Sequence, residues 1–192
     1  MVMGEKVSDG PCIDIAIIEP NKKRNYYILC TIGAGANAAN VDKGKAPFAS
    51  GHVELLMYLP KDWEISPEAF NDENNYWPVR RLKATARIPY YENSYMDFGH
   101  TVSNEGEEPY ATNTDKVGMI LLSPIPDPLD PITCELSSGK EVEFLQLLPI
   151  TKEEMQFKLD NGANALIARL EDSKKKSGTR KWIDFILSRF DF

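Results

Sequence analysis

The residues most able to carry chemistry are a glycine-rich run that directly follows a predicted strand. Gly33, Gly35 and Ala38 fit the spacing G-x-G-x-x-A, which lets a backbone loop approach the pyrophosphate of a dinucleotide. Glu54 follows at about the distance where an acidic residue binds the ribose. Such a site also needs a helix that begins at the third position, and here a proline follows too soon. The sequence therefore favours a loop of small residues, and a nucleotide-binding enzyme that uses the Gly33–Gly35 loop is the alternative.

Other catalytic patterns are weak. The two histidines, His52 and His100, form no H-x-x-x-H spacing, so a metal site built on clustered imidazoles is not expected. No G-x-S-x-G sequence identifies a serine nucleophile, and we expect His100 to be a hydrogen-bonded loop histidine. Adjacent acidic pairs such as Glu153 and Glu154 are expected to be solvated charges, because neighbouring helical residues do not face one cavity. We predict a protein without catalytic residues, metal or cofactor.

The first sixty residues predict strands around the glycine loop. Residues 1–11 are a polar lead-in, whereas Cys12–Ile18 and Tyr26–Ile32 are rich in strand-forming residues. The short polar turn between these two strands predicts an antiparallel hairpin. Residues 33–51 carry little periodicity and predict a long loop, and loops of this length are more often functional than incidental. Val53–Leu59 alternates between two faces and predicts a third strand.

Downstream segments predict helices and further strands. Glu68–Asn75 is acidic and asparagine-rich and is predicted to be an exposed loop. A helix is predicted to begin at Trp77-Pro78, because proline suits a first helical turn, and Pro89 is predicted to limit it. Val117–Leu122 and Phe144–Ile150 are predicted strands.

The C-terminal segments are predicted to be mostly helical. The proline-dense segment Pro124–Pro131 connects the last two strands and can be neither helix nor central strand. Thr151 with Glu154 forms a capping box, and the helix that it opens is predicted to end near Gly162 in a left-handed stop. After a second helix, Lys174–Thr179 is predicted to be a hinge that leads to an amphipathic helix.

The order of these elements predicts a mixed α/β (α+β) fold. We expect a largely antiparallel or mixed central sheet with flanking helices, because a hairpin opens the chain and helices close it. The lead-in of residues 1–11 precedes one domain over residues 12–172. Residues 173–192 are predicted to form a hinge and a C-terminal amphipathic helix.

Composition restricts the class of protein. The chain has 192 residues and is 42% hydrophobic, enough for one continuous core. Its 29 acidic and 22 basic residues give a net charge of −7, which disfavours nucleic-acid binding. No stretch is long and apolar enough to span a bilayer, and no apolar secretory signal is found at the start. Three widely spaced cysteines without a CxxC pair are expected to be reduced. We therefore expect a cytoplasmic protein that binds neither nucleic acid nor membrane.

Five sequence blocks share their order and their most distinctive residues with one protein family. They are Ile13–Gly33, Glu54–Trp63, Trp77–Pro89, Phe98–Val102 and Leu148–Ala163. The second block is the most specific, since it ends in Leu-Pro-Lys-Asp-Trp, and the fourth contains Gly-His-Thr. Together these blocks extend over about residues 13–170 and resemble the suppressor-of-fused family.

The resemblance implies a mixed α/β fold and no known enzymatic activity. It also implies a protein partner, because animal relatives bind a transcription-factor peptide as an extra strand, with a second domain that this chain is too short to contain. Short bacterial relatives have been proposed to be immunity proteins that neutralise toxins. We therefore predict a non-catalytic protein-binding module, in particular an immunity protein whose partner is a toxin domain.

The predicted contact surface includes an exposed sheet edge, whose unpaired backbone groups can accept a partner strand. The glycine loop, the start of the predicted helix and the loop histidine are its other components. The contact positions are Gly33, Asn37, Asp42, Trp77, Arg80, Arg81 and His100. A third hypothesis is a homo-oligomer in which the C-terminal amphipathic helix docks on a second copy.

Overall fold

One mixed sheet organises the part of the chain that the structure describes. The computed structural model describes residues 2–4, 10–36, 38–42, 44, 46, 49–124, 132–176 and 181–190. The described strands are β1 (Val2–Met3), β2 (Asp14–Ile18), β3 (Tyr26–Ile32), β4 (Val53–Pro60), β5 (Thr101–Ser103), β6 (Lys116–Leu122), β7 (Thr133–Glu135) and β8 (Glu141–Thr151). The described helices are α1 (Glu73–Tyr91), α2 (Lys152–Asn161), α3 (Ala163–Lys176) and α4 (Trp182–Ser188). The predicted α+β class and mixed sheet are confirmed.

The strands run in the order β1-β2-β3-β4-β8-β6-β5, and β7 pairs with the start of β8. β4 and β8 are parallel, whereas the other pairs are antiparallel, including the predicted β2–β3 hairpin. These directions bring the end of β3, the end of β6 and the starts of β4, β5 and β8 to the same side. We call this side the glycine-loop end, because the loop after β3 lies there.

Both faces of the sheet are packed by helices. The alternation predicted for β4 is observed, because Leu55 and Met57 belong to one core cluster and Tyr58 to the other. The first core contains α1 residues such as Trp77, whose side chain is fully buried. The second core contains α2, α3 and α4 residues such as Leu166. None of the described helices has the length and apolar composition needed to cross a bilayer.

Helix α1 begins earlier than predicted and contains both prolines. It starts at Glu73, and the Asp72 side chain caps it by accepting the Asn74 N–H over 2.9 Å. The predicted start at Trp77-Pro78 and the predicted loop at 68–75 are therefore wrong in this part. Pro78 has no N–H for the Asn74 carbonyl four residues before it, and that carbonyl instead accepts from the Asn113 amide over 3.3 Å. An interaction with a residue distant in sequence thus satisfies the carbonyl that the proline leaves free.

The predicted capping box of α2 is present, but the boundaries of α2 and α3 differ in detail. Thr151 Oγ1 accepts the Glu154 N–H over 3.3 Å, and Glu154 accepts the Thr151 N–H over 2.8 Å. Gly162 ends α2 with φ +87° and ψ 167°, so its backbone is not the predicted left-handed stop. Helix α3 continues to Lys176, into the predicted hinge, and residues 177–180 lie outside the described part. The predicted connector Pro124–Pro131 is described only at its first residue.

The segment that contains α4 belongs to the core of the same chain. Phe185 and Ile186 are buried in the second core, and Phe190 is 2% exposed in the first. The Phe190 ring stacks on Trp77, with ring centroids 5.5 Å apart. Arg189 donates to the Pro149 carbonyl over 2.9 Å and pairs with the carboxylate of Glu154. Phe185, Ile186 and Phe190, which were expected to dock on a second copy, are therefore buried within one chain.

Candidate protein-binding surface

Strand β5 forms one edge of the sheet and, among the described residues, pairs only with β6. On the inner side of this edge, Asn104 N–H donates to the Val117 carbonyl over 2.7 Å. Successive residues of an antiparallel strand alternate between inner and outer hydrogen-bonding directions. Thr101 and Ser103 therefore direct their N–H and C=O groups outward, where a strand from another protein can pair with them.

A pocket of about 230 Å³ opens beside β5, between the end of α1 and the second half of α2. Its walls are Ile88, Tyr95, Met96, His100, Thr101, Val102, Leu121 and Lys158. Lys158 Nζ donates to Thr101 Oγ1 over 3.0 Å, and the half-buried His100 ring lies 5.2 Å from the Tyr95 ring. Apolar walls with a few convergent polar groups are typical of binding sites. Of the predicted contact positions that are described, His100 lines this pocket.

The glycine loop is held by a single carboxylate. Glu54 Oε1 accepts the N–H groups of Gly33 and Gly35 over 2.9 and 3.0 Å, and Oε2 accepts the Thr31 hydroxyl over 2.6 Å. Thr31 Oγ1 in turn accepts the Leu55 N–H over 2.7 Å. The β3–β4 ladder ends at the pair Cys30 and Leu56, so these bonds replace it where the two strands separate. Glu54 is thus a structural part of the loop.

This geometry disagrees with a dinucleotide site in three respects. In the described part of the loop after Gly33, helical structure is limited to a 3-10 turn at Ala34–Ala36, whereas the pyrophosphate needs the first turn of a longer helix. β3 and β4 are antiparallel neighbours, whereas the fingerprint belongs to a parallel βαβ unit. The backbone N–H groups of Gly33 and Gly35 already donate to Glu54, which occupies the place of an anion.

The other loop positions have local roles in the described part. Asp42 is exposed, and its carboxylate accepts the Gly44 N–H over 3.0 Å. His52 holds the loop from β4, because its Nδ1 lies 2.8 Å from the Gly35 carbonyl, which makes Nδ1 the donor. Asn37, also predicted as a contact, lies outside the described residues.

The three predicted contacts on α1 face the interior or neighbouring loops. Trp77 is fully buried and stacks on Tyr110, with ring centroids 5.5 Å apart, so it cannot contact a partner directly. Arg80 donates to Glu73 over 2.6 Å and to the Tyr110 carbonyl over 3.0 Å. Arg81 donates to Asn104 over 2.9 Å, and its guanidinium lies 5.0 Å from the centre of the Tyr110 ring. These arginines fix the segment that precedes β6.

The predicted contact positions do not form one surface. Gly33 follows β3 and His100 precedes β5, so both lie at the glycine-loop end. Four strand spacings separate β3 from β5, which is roughly 19 Å. The Trp77–Arg81 segment lies in the first half of α1, whose start bonds the segment before β6 at the opposite end of the sheet.

Negative charge accumulates at the glycine-loop end. Burial, reinforced by the nearby carboxylates of Asp97 and Glu141, raises the pKa of Glu143 above its ordinary value, while a backbone bond from Ser50 opposes the rise. Glu135 lies directly opposite Glu141 in the β7–β8 pair. Like charges in such a pair repel. This end of the sheet would attract a cationic partner.

Potential metal ligands in the described part of the chain are dispersed, and its cysteines are unpaired. No group of three or more His, Cys, Asp or Glu side chains there could hold a metal ion. Cys12, Cys30 and Cys134 are free thiols. Burial, with a smaller contribution from Glu54, raises the pKa of the Cys30 thiol to about 12, so this sulfur is a poor nucleophile at neutral pH.

Two side chains described above have contacts that the sequence motifs do not predict. Lys158 was not singled out, because only the fold brings it to Thr101, which is 57 residues earlier. Glu54 was considered only as a ribose-binding residue, although an acidic residue inside an apolar strand is itself a signal of a specific hydrogen-bonded role. The four outward backbone groups of Thr101 and Ser103 leave no mark in the side-chain pattern, so the sequence predicts a loop histidine at His100 and no strand after it.

Comparison with known proteins gives consistent relatives. Residues 9–180 match the family model described as Suppressor of fused protein (SUFU). A protein of Ureaplasma parvum serovar 3, Uncharacterized protein UU111, is 28% identical over 164 residues, which cover 85% of this chain and 74% of that protein.

Solved structures show the same fold at low identity. A SUFU homolog from Neisseria gonorrhoeae has a TM-score of 0.54 and 18% identity, and the match covers 93% of this chain and 81% of that one. A chain of the Sufu-Fu complex has a TM-score of 0.52 and 13% identity, and the match covers 83% of this chain and 68% of that one. Drosophila Suppressor of Fused has a TM-score of 0.52 and 15% identity, and the match covers 83% of this chain but 38% of that one. Because the family model matches most of its residues, this chain belongs to the suppressor of fused family.

Proposed function

We propose that this protein is a non-catalytic protein-binding module that pairs a strand of its partner with the outer edge of β5. The observation that carries the proposal is the outward direction of the backbone groups of Thr101 and Ser103. The neighbouring pocket, with His100 and Lys158, would receive a side chain of the added strand. Main-chain pairing supplies affinity in this mode, and the flanking pocket supplies specificity.

The comparisons support a protein as the ligand. A chain of the same fold was crystallised in a complex named Sufu-Fu, so at least one related structure contains a protein partner. The competing hypothesis, a nucleotide-binding enzyme, has less support because Glu54 already accepts the backbone N–H groups of the glycine loop.

The specific role that we propose is that of an immunity protein, with a toxin domain as the partner, acting in the cytoplasm. The net charge of −7 supports a cationic partner, because opposite charges accelerate association. The carboxylates near Glu143 concentrate that charge at the end of the sheet where β5 begins. Co-expression with the product of a neighbouring toxin gene tests this role, and unchanged toxicity would contradict it.

The test of the edge uses Ser103, which is exposed. Ser103→Pro removes the outward N–H while the inner ladder keeps its bonds, and prolines are tolerated at sheet edges. Ser103→Ala is the matched control, because it removes the hydroxyl and retains the N–H. Losing one such bond and leaving the partner carbonyl unpaired costs about 1–3 kcal/mol, which lowers affinity by roughly 5-fold to 150-fold.

Affinity capture with the wild-type protein and both variants gives the readout. We expect the wild type and Ser103→Ala to capture the same protein. Ser103→Pro should capture less of it, although the melting temperature of this variant is unchanged. If the captured proteins bind all three forms equally, the outer edge of β5 is not the contact surface.

A further inference from the structure

A second binding feature lies on the other side of the glycine loop. Helices α2, α3 and α4 pack on the second sheet face, and among the described residues none of these helices lines its glycine-loop end. A groove of about 320 Å³ lies at this end, across β3, β4, β8 and β7. Its apolar lining residues are Cys30, Ile32, Cys134, Leu136, Val142 and Phe144.

The strand registers explain why these side chains meet. Ile32 and Glu54 lie where β3 and β4 separate, beyond the last β3–β4 pair. Glu54 is the partner of Phe144 in the parallel β4–β8 register. Val142 precedes Phe144 by two residues and therefore projects from the same face, and Cys134 is its partner in β7. The groove is thus the continuation of the second core beyond the helices.

The polar groups around the groove are already satisfied. Glu54 is the only Asp, Glu, Lys, Arg or His that lines it in the described chain, and its oxygens accept three hydrogen bonds. The loop N–H groups of Gly33 and Gly35 are used in the same bonds. The Cys30 thiol is neutral at pH 7, because burial and the Glu54 charge raise its pKa. The side chains of the groove therefore offer no free counter-charge for an ionic ligand.

The exposed apolar area is too small for a second copy. Ile32 is 47% exposed and Leu136 is 39% exposed, and both lie on the rim. With the groove floor they present a few hundred Å² at most, against roughly 800 Å² per partner in a stable complex. The groove volume instead lies near the lower limit of ligand sites, about 300 Å³, which suits one large side chain.

We propose that the groove receives one large apolar side chain, such as Leu, Met or Phe, from the protein that binds β5. This inference rests on the proposed function, because it assigns a second anchor to the same partner. Both surfaces belong to the glycine-loop end, and two strand spacings, roughly 10 Å, separate β5 from β8. A few extended residues of the partner span that distance.

The groove can be tested without the partner by disulfide exchange at Cys134, an exposed thiol on its wall. The probes are two small disulfides of cysteamine, one carrying a phenylpropanoyl group and one an acetyl group. Cys12, also exposed and not among the groove residues, is the internal control. We expect the ratio of phenylpropanoyl adduct to acetyl adduct to be at least ten times larger at Cys134 than at Cys12. Equal preference at the two thiols would overturn the apolar site.

The partner arm uses neutral substitutions that keep the net charge. Ile32→Asn and Leu136→Asn alter the rim, and Leu159→Asn is the control, because Leu159 is 63% exposed on α2 and does not line the groove. We expect partner affinity to fall at least tenfold for the two rim variants and to be retained by the control, at unchanged melting temperature.

The outcomes separate the two proposals. If Ser103→Pro abolishes capture but the rim variants bind like the wild type, the edge proposal stands and the groove proposal fails. If the wild type captures no protein at all, the proposed function fails and the second anchor fails with it. The disulfide arm then still decides whether the groove binds an apolar group.

Discussion

Removing the carboxylate of Glu54 gives the sharpest test of how the glycine loop is held. Glu54→Ala deprives Gly33 N–H, Gly35 N–H and the Thr31 hydroxyl of their acceptor. Hydrogen bonds to charged groups contribute about 1.5–3 kcal/mol each, but this site is half-buried and water can replace part of the loss. We expect the free energy of unfolding to fall by about 2–4 kcal/mol.

Glu54→Gln distinguishes hydrogen bonding from simple filling of space. The amide oxygen can still accept the loop N–H groups, but its nitrogen cannot accept the Thr31 hydroxyl. We therefore expect an intermediate loss, about 1 kcal/mol. Glu171→Ala is the control, since Glu171 is exposed on α3, and it should change stability by less than about 0.5 kcal/mol.

Urea unfolding, monitored by tryptophan fluorescence, measures these differences through the midpoint at an unchanged m-value. Glu54→Ala also uncovers backbone N–H groups that resemble an anion-binding loop, so phosphate should raise its melting temperature more than that of Glu171→Ala. A Glu54→Ala protein as stable as the control would refute the carboxylate's structural role. Equal losses for Glu54→Ala and Glu54→Gln would refute the assignment of hydrogen bonds.

Three further predictions concern the core, pH and the loop backbone. Phe190→Ala should cost about 3–5 kcal/mol in urea unfolding, because Phe190 is 2% exposed between aromatic rings, and light scattering should show an unchanged mass. Glu143→Gln should stabilise the protein at pH 7 and have little effect at pH 4 in thermal melts. The raised pKa means that the folded state holds this proton more tightly, so wild-type stability falls as pH rises from the ordinary carboxyl pKa through the folded value. A gain that is the same at both pH values would contradict this. Gly33→Ala should cost about 1–3 kcal/mol, because Gly33 has φ +104° and a Cβ would lie 2.8 Å from the Cys12 carbonyl oxygen. A neutral result in urea would show that this turn is not constrained.

The sequence predicted the strands well where several apolar or aromatic residues follow one another between turn residues. In β4 the alternation assigns Leu55 and Met57 to one core and Tyr58 to the other, as observed. The capping box at Thr151 was equally readable, because its two hydrogen bonds lie within three residues. Local signals of this kind need no knowledge of the rest of the fold.

The errors arose where distant residues decide the local structure. The predicted start of α1 was too late. Pro78 leaves the Asn74 carbonyl without its usual donor, and the side-chain amide of Asn113, 39 residues further along the chain, donates to it instead. Arg80 and Arg81 remain predicted contact positions, but the sequence did not show that both bind around Tyr110, 29 or more residues away. Neither partner can be identified from spacing alone.

The position of Phe190 has a consequence for the order in which the protein matures. Its ring completes the contacts of Trp63 and Trp77, which leave the ribosome more than a hundred residues earlier. β4 likewise has only β3 as a pairing partner until β8 has been synthesised. Nascent chains that end before Phe190 lack the ring that packs on both tryptophans, and those that end before β8 also leave one side of β4 unpaired. Such surfaces attract chaperones or other unfinished chains. Synthesis of Phe190, just after α4, completes the first core, and we expect native tryptophan emission to develop only after this residue has been made.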